Sequence, residues 1–136
     1  MTSTFPSVVP YLYYPDASEA LEFLTQVFGF EEHEVTRDDQ GVVWTAQLRT
    51  GPGPDAGLVM IGPGLAEFGS RAVADPDWAT SRTHVVVEDL ADHYDRAVAG
   101  GAVIRAEPMT GFGDGKLYVA SDPGGQQWIF AETGAN

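Results

Sequence analysis

Apolar residues along the first half of the chain fall into two rhythms. At 8–14, VVPYLYY crowds β-branched and aromatic residues together and predicts a strand. From 16 to 29 the period lengthens. Leu21, Leu24, Val27 and Phe28 recur at helical spacing, Asp16 stands at the N-cap with Glu19 placed for a capping box, and Gly29 supplies the stop. FEEHEVTR (30–37), VVWTAQLRT (42–50) and GLVMIG (57–62) predict three further strands. The turn DDQG (38–41) and the glycine- and proline-rich GPGPDAG (51–57) separate them.

Residues 63–81 carry no period, and their scattered Gly, Pro, Asp and Ser predict a linker. Then the order returns. RTHVVVED (82–89) predicts a strand, and LADHYDRAVAGG (90–101) a helix capped by Asp89 and closed by Gly100 and Gly101. AVIRAE (102–107), KLYVAS (116–121) and QQWIFAE (126–132) predict three more strands. A shift of 73 positions lays Asp16 on Asp89, Tyr11 on His84 and Val9 on Arg82. The pattern is therefore an internal duplication: two βαβββ modules, 7–62 and 82–133, within a single α+β domain. Neither module can cover its own sheet, so the two are expected to pair as a curved mixed sheet around a cleft.

Length and composition narrow the function. A chain of 136 residues with 43% hydrophobic residues can build one packed core. The absence of cysteine excludes disulfides, thiolate nucleophiles and zinc–thiolate sites. A net charge of −13, from 20 acidic and 7 basic residues, makes nucleic acid and anionic membranes poor partners. It suits a cationic ligand, or simply a soluble acidic surface. MTSTFPSVVPYLYYPD has neither a basic start nor a long apolar run, so no signal peptide or membrane span is expected and the location reads as cytoplasmic.

Nucleophilic hydrolase chemistry has no support, since no serine sits in a Gly-x-Ser-x-Gly elbow. GFGDGK (111–116) lacks the Lys-Ser or Lys-Thr step of a phosphate loop and reads as a flexible lid at the cleft mouth. The pairs Glu31–Glu32 and Asp38–Asp39 read as solvated surface, as do His33 and His93. Strand alternation is more informative. It puts Tyr11, Tyr13, Arg82 and His84 on one side of their strands, facing the cleft. On the third strand it offers either Trp44 with Leu48 or Thr45 with Gln47, and the second pair is preferred. Trp128 and Phe130 read as core.

These segments resemble a known superfamily. VVPYLYYPDASEALEFLTQVFGF, VVVEDLADHYDRAVAGGAVI and YVASDPGGQQWIFAE are similar, in that order, to the opening, the second-module start and the closing hairpin of the vicinal oxygen chelate proteins. These comprise glyoxalases, extradiol dioxygenases and bleomycin- and fosfomycin-resistance proteins. The nearest likeness is to the glyoxalase-like subgroup with an Asp-Pro-x-Gly-His-x-Trp ending. The resemblance implies the paired βαβββ fold and a metal site with one ligand on the first and fourth strands of each module. Counting from the motifs puts those positions at Val9, Met60, Arg82 and Ile129, a set unable to hold a divalent ion. Glu132 lies three residues beyond the fourth position and, in an unbroken strand, faces the other side; a β-bulge near Trp128 would bring it back. An alignment offset of two residues would instead hand the third position to His84.

What this implies is a small-molecule binding protein that needs no metal and no other cofactor, sequesters a toxic natural product and forms a homodimer. Its ligand, aromatic or cationic, would meet Tyr11, Tyr13, Thr45, Gln47, Met60, Arg82, His84 and Ile129. The rival reading is an enzyme (a lyase, isomerase or dioxygenase) with an atypical metal site, or with His84 as general base and Tyr11 or Arg82 stabilising negative charge. A dimer without a dedicated ligand is the third.

Overall fold

A computed structural model describes residues 6–53, 55–111 and 115–132. It divides into two compact units, one through Ala74 and one from Asp75. The lid expected at 111–116 falls largely on 112–114, outside the described residues.

Unit one contains β1 (Tyr11–Tyr13), α1 (Ala17–Gln26), β2 (Glu31–Arg37), β3 (Val43–Arg49) and β4 (Leu58–Gly62), followed by a short 3-10 turn at Ala66–Phe68. The sheet order is β1-β4-β3-β2, with β1 parallel to β4 and the other pairs antiparallel. The helix starts where Asp16 Oδ1 accepts from the Glu19 amide at 3.1 Å, and Gly29, at φ 77°, turns the chain out of it. Its apolar stripe, Ala17, Ala20, Leu21 and Leu24, is buried with Leu48, Val59 and Ile61 of the sheet and with Phe28 and Phe30.

Two strands of this sheet break the simple alternation, β2 at His33, which is extra between the pairs Glu32–Leu48 and Glu34–Gln47, and β3. Between the pairs Thr36–Thr45 and Arg37–Val43, Trp44 is an extra residue on β3. This bulge turns Val43 into the core and leaves Trp44 half exposed.

Unit two repeats the plan with β5 (Thr83–Val86), α2 (Leu90–Ala99), β6 (Val103–Thr110), β7 (Lys116–Ser121) and β8 (Gln127–Glu132), in the order β5-β8-β7-β6. Asp89 caps α2 through the Asp92 amide at 3.1 Å. The core joins Leu90 and Ala97 of the helix to Val85, Tyr118, Ala120, Trp128 and Phe130.

His93 belongs to this core, at 8% exposure, which corrects the expectation of a solvated histidine. Its position on the α2 stripe between Leu90 and Ala97 explains why. The ring packs against Phe130, centroids 4.2 Å apart and tilted by 41°, and Nδ1 meets the Tyr118 hydroxyl at 2.6 Å, so the polar edge is satisfied inside the core.

The β7–β8 hairpin rests on Asp122. Its carboxylate accepts from the Gly124 and Gln126 amides at 3.0 and 3.1 Å and from the Trp128 indole at 3.0 Å. Gly125, at φ 87°, takes the left-handed position that the return strand requires. Among the described residues no helix is long and apolar enough to cross a membrane.

Candidate functional site

Each helix covers one face of its sheet, so the chemistry available to a ligand lies on the opposite, helix-free face. In unit one a cross-strand row places Tyr11 beside Met60, Met60 beside Gln47, and Gln47 beside Glu34. Partners in a row share a face. The neighbouring row, with Ile61 and Ala46, is the buried one. The structure thus brings Tyr11, Tyr13, Thr45, Gln47 and Met60 onto one surface within unit one.

Tyr11 and Tyr13 stand with ring centroids 5.1 Å apart, tilted by 36°. Tyr11 leans along the sheet so that its hydroxyl lies over Gly62, where a Cβ would collide with it and would come within 3.2 Å of the Thr45 methyl. Gly62 therefore sets how flat the Tyr11 ring can lie, a role the sequence did not disclose. Tyr11 remains 36% exposed. Partial burial, then the neighbouring Tyr13, push its hydroxyl above the usual tyrosine range.

In unit two His84 is beside Ile129, and Ile129 beside Val119, on the helix-free face. Arg82 precedes His84 by two residues, on the same side. A second row crosses the whole sheet here. Arg82 Nε donates to Gln127 Oε1 at 2.8 Å, Gln127 pairs with Ser121 in register, and Ser121 Oγ accepts from Arg105 Nε at 3.0 Å. The two middle side chains are 5% and 2% exposed. Arg105 is an extra residue between the pairs Ile104–Ala120 and Ala106–Val119, and this bulge aims it along the row. Its outer nitrogens go to the Pro76 carbonyl at 2.6 Å and to Asp77 at 3.4 Å. Those of Arg82 have no partner among the described residues.

Of the residues singled out from sequence, unit one carries Tyr11, Tyr13, Thr45, Gln47 and Met60, and unit two carries Arg82, His84 and Ile129. Missed were Gln127, Ser121 and Gly62. Gln127 was legible in principle, since it lies two residues before Ile129 on the same strand and so shares its face.

The register of β8 is unbroken against both neighbours, from Gln127 opposite Ser121 to Glu132 opposite Lys116. Glu132 therefore alternates with Ile129 onto the other face. Met60 offers a thioether, Ile129 only hydrocarbon and Arg82 a cation, a donor set that does not fit a divalent ion. Among the described residues no three His, Asp or Glu side chains gather where they could hold one.

Duplicated βαβββ units with capping aspartates and an Asp-Pro-x-Gly hairpin define the class. The model of the Glyoxalase/Bleomycin resistance protein/Dioxygenase superfamily matches residues 5–130, and the chain belongs to that superfamily. Among solved structures it is similar to TioX from Micromonospora sp. ML1, at 26% identity and TM-score 0.72, over 96% of this chain and 98% of that one. A superfamily member from Sphaerobacter thermophilus DSM 20745 shares the fold at 17% identity and TM-score 0.64, over 94% of this chain and 98% of that one. The fosfomycin resistance protein FosX from Listeria monocytogenes, complexed with Mn(II) and sulfate, does so at 13% identity and TM-score 0.68, over 98% of this chain and 93% of that one. No curated protein matches this chain.

Proposed function

We propose that this protein binds a planar small molecule through the helix-free face of its first sheet, without a metal ion or other cofactor, and thereby sequesters a toxic natural product. The observation that carries the reading is the tyrosine pair. Tyr11, partly exposed and laid over Gly62 beside Tyr13, offers a preformed aromatic surface on which a flat ligand loses little freedom. The similarity to a fosfomycin resistance protein is in keeping with a role against a toxic compound. A homodimer in the cytoplasm is the proposed setting.

The test is a thermal-shift panel of planar aromatic compounds spanning cationic, neutral and anionic members. The expected outcome is a rise in melting temperature that Tyr11→Ala abolishes. A flat response across the whole panel rejects the reading.

One observation favours an enzyme as the second reading: His84 and Arg82 share an exposed face two residues apart, as a general base and a stabiliser of negative charge would. A turnover found with any panel compound and lost in His84→Ala would establish it.

A further inference from the structure

The helix-free face of unit two carries a local charge opposite to that of the chain. Arg82 enters it as a held group rather than a free one. Its Nε–H can only donate, so the atom of Gln127 that faces it at 2.8 Å is the carbonyl oxygen. Gln127 is 5% exposed and stands opposite Ser121 in the strand register, so the brace is a buried side chain. This contact uses one edge of the guanidinium and leaves both terminal nitrogens, with their four N–H donors, without partners among the described residues. Gln127 Nε2 likewise makes no hydrogen bond there, and among the described residues no fully buried side-chain polar atom lacks a partner. The imidazole of His84 shares the same side of β5, and Ile129 and Val119 floor the space beside it.

We infer that Arg82, braced by Gln127, is an oxyanion-binding point on unit two, and that the small molecule it takes carries a carboxylate or phosphate-type group. The inference rests on the small-molecule reading and names the chemistry that this face selects. A guanidinium fork is a rigid donor set that two oxygens of one oxyanion fill together, and a neutral or cationic group would leave it unsatisfied. Arg105 stands at the far end of the row with its fork already turned to Pro76 and Asp77, so Arg82 is the end that is available. The net charge of −13 does not oppose this at contact range. Exposed charges are largely screened beyond about 8 Å at physiological salt, whereas the guanidinium touches its ligand.

The experiment uses four probes with one ring system: 1-naphthoate, 1-naphthyl phosphate, 1-naphthalenemethanol and 1-naphthylmethylammonium. Binding is followed in the arginine Nε–H and tyrosine ring resonances of the full chain. The expected result is that at least one anion binds at least about tenfold tighter than the alcohol and moves the Arg82 Nε–H signal. Arg82→Gln removes that preference, and Arg82→Lys, which keeps the charge without the fork, restores only part of it. Whether naphthoate or naphthyl phosphate binds tighter separates a carboxylate ligand from a phosphorylated one. The inference is overturned if the alcohol or the ammonium binds as well as either anion, if the preference survives Arg82→Gln, or if no probe moves the Arg82 signal. Tyrosine resonances that still respond to a probe in those cases would leave the small-molecule reading standing while this one falls.

Discussion

The indole N–H of Trp128 and the carboxylate of Asp122 lie 3.0 Å apart, both buried, six residues apart across the closing hairpin. The same carboxylate gathers the Gly124 and Gln126 amides, so one side chain replaces water for three donors. Asp122→Ala is expected to cost about 2–4 kcal/mol, since hydrogen bonds to a charged acceptor are each worth more than neutral ones and a buried indole N–H would be stranded. Asp122→Asn, which keeps one acceptor oxygen, should lose less. Urea unfolding of the three proteins checks this, and an alanine variant within about 0.5 kcal/mol of the parent would show that the hairpin closes without the carboxylate.

Alkaline pH should weaken unit two through Tyr118. Burial, and then the neighbouring Tyr94, raise the phenol far above its usual range, and it stays neutral against His93 in the folded protein. The sign follows from linkage. Below about pH 10 the phenol is protonated in both states and the raised value costs nothing. Above it the unfolded chain gives up the proton and the folded chain does not, so stability falls as pH rises. Stability measured from pH 8 to 11.5 should decline with a slope that Tyr118→Phe makes shallower. The slope should not vanish, because Tyr11 is also raised. An unchanged slope in the phenylalanine variant would reject the assignment.

The duplication, both helix caps and the facing of Tyr11, Gln47, His84 and Ile129 were legible because they depend only on period and on turn chemistry. Alternation fails where a strand carries an extra residue, and nothing in the local sequence marks Trp44 or Arg105 as that residue. The bulge at Trp44 exchanges it with Val43, and the one at Arg105 aims the guanidinium along the polar row. His93 was misjudged for a different reason. A polar residue on a helix stripe looks solvated until its partner, Tyr118, is known to lie opposite. Gln127 was passed over because a glutamine in an aromatic strand has no meaning of its own until Arg82 is seen beside it.

Gly62 offers a test of how the aromatic surface is set. Gly62→Ala introduces a methyl where the Tyr11 hydroxyl lies, and the flexible end of the tyrosine must swing away. The expected cost is about 1–2 kcal/mol, as for other overpacked sites. Most of it should disappear in a Tyr11→Ala background, because the clash has one partner that matters. A double-mutant cycle of melting temperatures measures the coupling. Equal effects of Gly62→Ala in both backgrounds would place the strain elsewhere, with the Thr45 methyl as the next neighbour.

The donor chemistry of the helix-free faces also predicts what metal loading will show. Met60 and Ile129 present a thioether and hydrocarbon, and Arg82 holds a permanent positive charge where a divalent ion would need a lone pair. Protein loaded with Mn(II), Ni(II) or Zn(II) and then dialysed should retain no stoichiometric metal by elemental analysis. The converse experiment makes this more than an absence. Ile129 stands beside His84 in register, and Arg82 lies two residues before His84 on the same side of β5. Ile129→Glu combined with Arg82→His would therefore set a carboxylate and two imidazoles on one face, enough for a three-donor zinc site. The double variant should gain zinc affinity that the parent lacks, and either substitution alone should gain much less. One tightly held ion per chain in the parent would mean that other side chains supply the ligands, and the metal-free reading of this site would be wrong.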